Sequence, residues 1–126
     1  MSELRLPTKD SVLQASAEHS GDVITLILSG TADSTTRDEF ADMVADVHSL
    51  ASGKHASEVC VDLRDLEFMN SSCLKSLVSW VQYIRDLSAE QRYQLRLVSN
   101  PERRWQRRSL AALSCFAVDL VTIQTD

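Results

Sequence analysis

The chain has 126 residues, of which 44% are hydrophobic and 25% charged, and its 18 acidic and 13 basic side chains give a formal net charge of −5. A chain of this length is expected to form one domain and to bury roughly 70% of the surface its unfolded form exposes. The acidic balance argues against nucleic acid or an anionic membrane as the main partner.

Residues 1–10 are polar apart from Leu4 and Leu6, and read as a flexible N-terminal segment ahead of a single domain over residues 11–126. From Val12 to Ala17 the pattern alternates weakly, and His19-Ser20-Gly21-Asp22 is a turn cluster. Val23 to Leu28 is a strong strand with Val23, Thr25 and Ile27 on one face and Ile24, Leu26 and Leu28 on the other. Because both faces are largely apolar, the strand is expected to be central and covered on two sides. The first two strands read as a hairpin.

Residues 30–36 form a loop, and Thr36 with Glu39 has the spacing of a capping box. Phe40, Met43, Val44, Val47 and Leu50 follow as a helical stripe, and Gly53 is placed to end it. Val59, Cys60, Val61 and Leu63 make a third strand. After the loop 66–72 the period turns helical again, with Leu74, Leu77, Val78, Val81 and Ile84 on one face. Gln94 to Val98 alternates as a strand. Asn100-Pro101-Glu102 then reads as a helix start, with Asn100 as the cap. Trp105, Ser109, Ala112, Leu113 and Phe116 share one side of that helix, and Val118 to Ile123 closes the chain as a strand.

The order ββαβαβαβ implies an α/β fold: a mixed, mostly parallel sheet with an N-terminal β-hairpin and helices packed on it. In such sheets sites form at the carboxyl ends of strands. Loops 30–36 and 66–72 both lie at such ends, so Asp33 and Ser71 share one surface if their strands are neighbours. Asn70 is a natural N-cap, and Ser71 and Ser72 open the helix at the positive end of its dipole. A hydroxyl held there carries or binds a phosphate at low electrostatic cost.

Other chemistry has little support in the residues. Cys60, Cys73 and Cys115 are an odd number with no close pair, which reads as reduced thiols in a reducing compartment. His19, His48 and His55 have no spacing that joins them to a cysteine cluster, so no metal and no cofactor is expected. No catalytic motif surrounds Ser71, and no enzyme is expected. With no charged-then-apolar leader and no apolar run of membrane-spanning length, the expected location is the cytoplasm.

Three stretches in register carry a resemblance. Arg-Asp-Leu-Glu-Phe-Met-Asn-Ser-Ser-Cys-Leu at 64–74 resembles the signature of STAS domains, the anti-sigma-factor antagonists of bacteria, which reads approximately Asp-Leu-x-Phe-Met-Asp-Ser-Ser-Gly-Leu. Ile27-Leu28-Ser29-Gly30-Thr31-Ala32-Asp33 is similar to their second-strand motif ending in Gly-x-x-Asp. Asn100-Pro101, followed by Arg104, Leu110 and Leu113, resembles their C-terminal Asn-Pro-x-Val-x-Arg-x-Leu segment. Together these cover most of residues 12–123.

The resemblance implies a STAS-like fold and a phosphoswitch. In that family a kinase that doubles as the anti-sigma factor phosphorylates the serine after the Asp, and a PP2C-type phosphatase reverses it. The matching serine is Ser71, with Ser72 as the alternative acceptor. The unmodified antagonist captures its kinase-type partner, and the added charge of about −1.5 to −2 blocks docking. Asp33, Asn70, Ser72, Cys73 and Lys75 are the implied partner-binding positions, and Trp80 joins them from its place on the shoulder of its helix. Asn70 stands where the family has Asp, and Cys73 where it has Gly, so a different partner is expected.

The shorter run at 69–75 also resembles STAS-like phosphoproteins that activate diguanylate cyclases, which again maps the phosphosite to Ser71 and adds Lys75. Two features read either way. Cys73, Trp80 and Leu87 form a band that either packs under a loop or presents a partner-binding edge. Arg103, Arg104, Arg107 and Arg108 form either a solvated face or an anion-binding surface. The latter keeps a small nucleotide-binding regulatory domain as a further alternative.

Overall fold

Eight elements follow one another along the chain: β1 (Leu13–Ser20), β2 (Val23–Ala32), α1 (Arg37–Gly53), β3 (Glu58–Met69), α2 (Ser71–Arg85), β4 (Gln94–Ser99), α3 (Arg104–Phe116) and β5 (Val121–Thr125). They belong to a computed structural model that describes residues 11–125. The segment 1–10, expected to be flexible, and Asp126 lie outside the described residues. The order ββαβαβαβ agrees with the sequence pattern.

The five strands form one sheet in the order β1-β2-β3-β4-β5. β1 pairs with β2 antiparallel through a hairpin, and β2, β3, β4 and β5 run parallel. Parallel strands in consecutive order, joined by right-handed crossovers, place every crossover helix on the same face. The side chains obey this. Ile24, Val59, Leu95 and Val121 form one cross-strand row, and Leu26, Val61, Leu97 and Ile123 the next. Both rows pack with α1 (Phe40, Met43, Val44, Val47), α2 (Leu77, Val81, Ile84) and α3 (Leu110, Leu113) in one core.

Among the described residues no helix lies over the opposite face. There Thr25, Cys60, Arg96 and Thr122 form a row, and Arg96 lies across the sheet, donating to Glu58 at 2.8 Å and to Gln124 at 2.6 Å. β2 is therefore central, and helices of the described residues cover it on one side only. The half-buried Val23 and Ile27 lie on the open face.

β3 departs most from its sequence pattern. Its inward residues alternate as far as Leu63 and then recur every third residue, at Leu66 and Met69. Two register shifts against β2, between Ile27 and Ser29 and between Gly30 and Thr31, each insert an extra residue into β3. A bulge turns the following side chain to the other face, so a spacing of three keeps the same face inward. The stretch expected as the loop 66–72 is thus mostly strand, and β3 runs straight into α2.

Opposite those bulges Gly30 has φ +87°, and a Cβ there would lie 2.1 Å from the Val12 carbonyl oxygen. That carbonyl accepts the Thr31 N–H at 3.0 Å. β4 pairs with β3 only as far as Asp62, and beyond it the buried Gln106 of α3 takes over. Its amide nitrogen donates to the Leu63 carbonyl at 2.7 Å, and its oxygen accepts the Asn100 N–H at 2.8 Å.

One expected cap is absent and two expected element starts shift. No capping box forms at α1: the Thr36 hydroxyl accepts the Asp33 N–H, and Glu39 accepts from Ser11. Asn100 caps a turn, taking the Glu102 N–H on its side chain, and α3 begins at Arg104. β5 begins at Val121, and Val118 is exposed.

Candidate functional site

The carboxyl ends of β2 and β3 meet at one point. Ala32 pairs with Met69, and the next residue, Asn70, donates its N–H to the Ala32 carbonyl at 2.8 Å. Asp33 and Ser71 leave this edge directly, one into the loop before α1 and the other into α2. The two loops therefore share a surface, as their positions at strand ends imply.

Asn70 caps α2. Its backbone is extended, and its side-chain oxygen accepts the Cys73 N–H at 2.9 Å while its carbonyl accepts the Leu74 N–H at 3.0 Å. Ser71 is exposed and Ser72 half-buried at the open end of the helix, where free backbone N–H groups favour negative charge. The first turn of α2 contains no acidic residue. Lys75, also exposed, lies one turn after Ser71 on the same side.

Asp33 is tied down by its own loop. Its carboxylate accepts the Thr35 hydroxyl at 2.6 Å and the Thr35 N–H at 2.9 Å. The Thr35 hydroxyl is the largest influence holding the carboxyl below its ordinary value, so it is ionised at neutral pH. The Asp33 carbonyl lies 3.8 Å from the Cys73 sulfur, within reach of the S–H. Burial, reinforced by the Asp33 charge and opposed by Arg37, pushes the Cys73 thiol up to about 11.

The band of Cys73, Trp80 and Leu87, read either as packing or as a partner edge, lies mostly inside the chain, with Leu87 half-buried against the core. Cys73 and Trp80 are fully buried. Cys73 points back beneath the Asp33 loop, so where the family has Gly it adds packing inside the chain rather than bulk toward a partner. The Trp80 indole N–H donates to the Tyr93 hydroxyl at 2.6 Å, and the same hydroxyl lies 2.7 Å from His48 Nδ1. Through Tyr93, the residue before β4, Trp80 of α2 is tied to His48 of α1.

Two residues near the site were not among the expected binding positions. Phe68 is 47% exposed, two residues before the Asn70 cap, because a bulge turns it away from the core. Arg37, exposed at the start of α1, is close enough for its charge to act on Cys73. The arginine cluster is divided. Arg103 donates to the Arg64 carbonyl at 3.1 Å, and Arg107 lines an open cleft of about 450 Å³ with Asn100, Ser114 and Cys115 on the side of α3 facing β5. Arg104 and Arg108 are exposed. Among the described residues no group of three or more His, Cys, Asp or Glu could hold a metal ion, and no helix is long and apolar enough to cross a membrane.

No family model matches the sequence, and no curated protein matches it. The structure is similar to the crystal structure of an anti-sigma factor antagonist from Mycobacterium paratuberculosis. The TM-score is 0.65 over 94% of this chain and 90% of that one, at 19% sequence identity. At that identity the likeness is one of fold. The chain has the STAS fold of an anti-sigma factor antagonist, in agreement with the resemblance carried by residues 27–33, 64–74 and 100–113.

Proposed function

We propose that this protein is a non-enzymatic binding module of the anti-sigma-factor-antagonist kind, in which phosphorylation of Ser71 switches docking to a kinase-type partner. The observation that carries the reading is the placement of Ser71. It is exposed, at the Asn70-capped start of α2, beside the Asp33 loop, in a chain with the fold of an anti-sigma factor antagonist. A phosphate there meets the positive end of the helix and costs the fold little. To a partner it presents new charge and bulk at the centre of the exposed surface. Ser72, half-buried on the next position, is the weaker acceptor.

On this reading the docking surface comprises Asp33, Asn70, Ser71, Ser72 and Lys75, with Phe68 as its apolar contact. The partners are a serine-kinase/anti-sigma-type protein and a PP2C-type phosphatase, and the location is the cytoplasm. Asn70 in place of an Asp removes one negative charge beside the acceptor, which favours a partner with a less basic contact. A specific observation also supports output through a diguanylate cyclase: the half-buried cap Asn70 and the exposed Ser71 and Lys75, the residues of that shorter resemblance, lie together at the start of α2.

The test is phosphorylation of the purified protein by a histidine-kinase-like ATPase from the same genome, with the site located by mass spectrometry. The expected result is a single phosphate on Ser71 that a PP2C-type phosphatase removes. Phosphate only at other residues would overturn the assignment.

A further inference from the structure

The charges of the helical layer are segregated. α1 carries Asp38, Glu39, Asp42 and Asp46, whereas neither α2 nor α3 contains an acidic residue. The cations on those two helices are Lys75, Arg85, Arg104, Arg107 and Arg108. Arg85 pairs with Asp119 at 2.9 Å. Lys75, Arg104, Arg107 and Arg108 form no ion pair with any described residue. In a chain of net charge −5, α2 and α3 together present an acid-free, cationic strip.

Along that strip runs an apolar groove of about 170 Å³, lined by Leu74 and Val78 of α2 and by Ser109, Ala112, Leu113 and Phe116 of α3. Phe116 is 51% exposed and Val78 37%, so the lining is in reach of another molecule. Ser109 and Ala112 are small, which lets a backbone approach α3. The cations flank the lining. Lys75 follows Leu74, Arg108 precedes Ser109 and lies one turn before Ala112, and Arg104 lies one turn before Arg108. An apolar floor bordered by unpaired positive charge matches a helix with an apolar stripe and acidic flanks.

We infer that the α2–α3 groove receives an acidic amphipathic helix from a partner protein. A second copy of this chain does not supply it. Its acidic helix, α1, already uses its apolar face in its own core, and α2 and α3 are cationic. The inference deepens the proposed switch and rests on it in one respect: Ser71 lies one turn before Leu74 and Lys75, at the head of the groove. A phosphate on Ser71 opposes the acidic helix through like charge at the point where it enters.

The test uses two synthetic helical peptides of about 18 residues with the same Leu/Phe stripe, one flanked by Glu and the other by Lys, titrated into the ¹⁵N-labelled full chain. The Glu peptide is expected to shift the amides of residues 74–78 and 109–116. It is also expected to bind at least about tenfold tighter than the Lys peptide at low salt, with the gap narrowing as salt rises. Ala112→Glu is expected to abolish binding, and Lys75→Glu with Arg108→Glu to reverse the preference, each with unchanged far-UV circular dichroism. Equal affinity for the two peptides, shifts centred outside the groove, or no shift at millimolar Glu peptide would overturn the inference. Ser71→Asp separates the two readings. Weaker Glu-peptide binding in that variant supports both, whereas unchanged binding with the groove shifts intact counts against the switch and leaves the groove standing.

Discussion

Asn70 donates its backbone N–H to the carbonyl of Ala32 at 2.8 Å, and through that bond the ends of β2 and β3 act as one edge. Asp33 and Ser71 each follow it by one residue. The backbone thus sets the relation of the two loops, with the Cys73 S–H within reach of the Asp33 carbonyl beneath them, and a charge placed on Ser71 is set against a fixed neighbourhood. That neighbourhood comprises the tied-down carboxylate of Asp33, the buried thiol of Cys73 and the cations Arg37 and Lys75.

The Asn70 cap sets the presentation of Ser71. Asn70→Ala removes the acceptor for the Cys73 N–H and is expected to lower stability by about 1 kcal/mol, read from urea denaturation. Asn70→Asp keeps the acceptor and is expected to stay within about 0.5 kcal/mol of the parent, since Asp and Asn cap about equally well. An equal loss in both variants would mean that the cap does not hold the helix start.

Gly30 is the tightest constraint on the edge. Gly30→Ala sets a Cβ against the Val12 carbonyl at a backbone angle that L-residues rarely adopt. It is expected to cost more than about 2 kcal/mol, seen as a lowered denaturation midpoint. A change of less than about 0.5 kcal/mol would show that the β1–β2 contact gives way freely.

Much of this arrangement was legible in the residues, and the rest was not for definite reasons. Ile24, Leu26 and Leu28, or Phe40, Met43, Val44 and Val47, announce their elements because one face of a regular element meets one core. Asn70 announces the cap because capping is a local contact. The end of β3 stayed hidden because its bulges replace period two by a spacing of three at Leu63, Leu66 and Met69. Gln106 stayed hidden because its partners, Leu63 and Asn100, are set by tertiary structure. Trp80 was ambiguous because a residue on the shoulder of a helical stripe faces solvent or a second helix according to how α1 packs.

His48 makes the fold sensitive to mild acid. The Trp80 indole can only donate, so the Tyr93 hydroxyl accepts from it, and a neutral His48 offers Nδ1 as acceptor for the Tyr93 proton. Burial lowers the His48 pKa from its ordinary value of 6.5. The unfolded chain then binds the proton more readily than the folded one, so the contribution is present above pH 6.5 and is lost as pH falls through the folded value. Tm is expected to fall between about pH 7.5 and about pH 5, with a smaller fall in His48→Gln. Identical pH profiles for the two proteins would contradict this role.

The three cysteines are expected to differ in reactivity. Cys115 is exposed, while Cys60 and Cys73 are buried, and burial raises both buried thiols, Cys73 to about 11. A thiol reagent at mildly alkaline pH should titrate one group quickly in the native protein and the other two only on unfolding. Rapid native reaction at Cys73 would show that the Asp33 loop opens.

The most direct test of the proposed switch is the affinity of a purified histidine-kinase-like partner for the parent, Ser71→Ala and Ser71→Asp proteins, measured by isothermal titration. The switch requires Ser71→Ala to bind like the parent and Ser71→Asp at least about tenfold more weakly, a difference of about 1.4 kcal/mol. Equal affinity across all three proteins, with each folded, would contradict it.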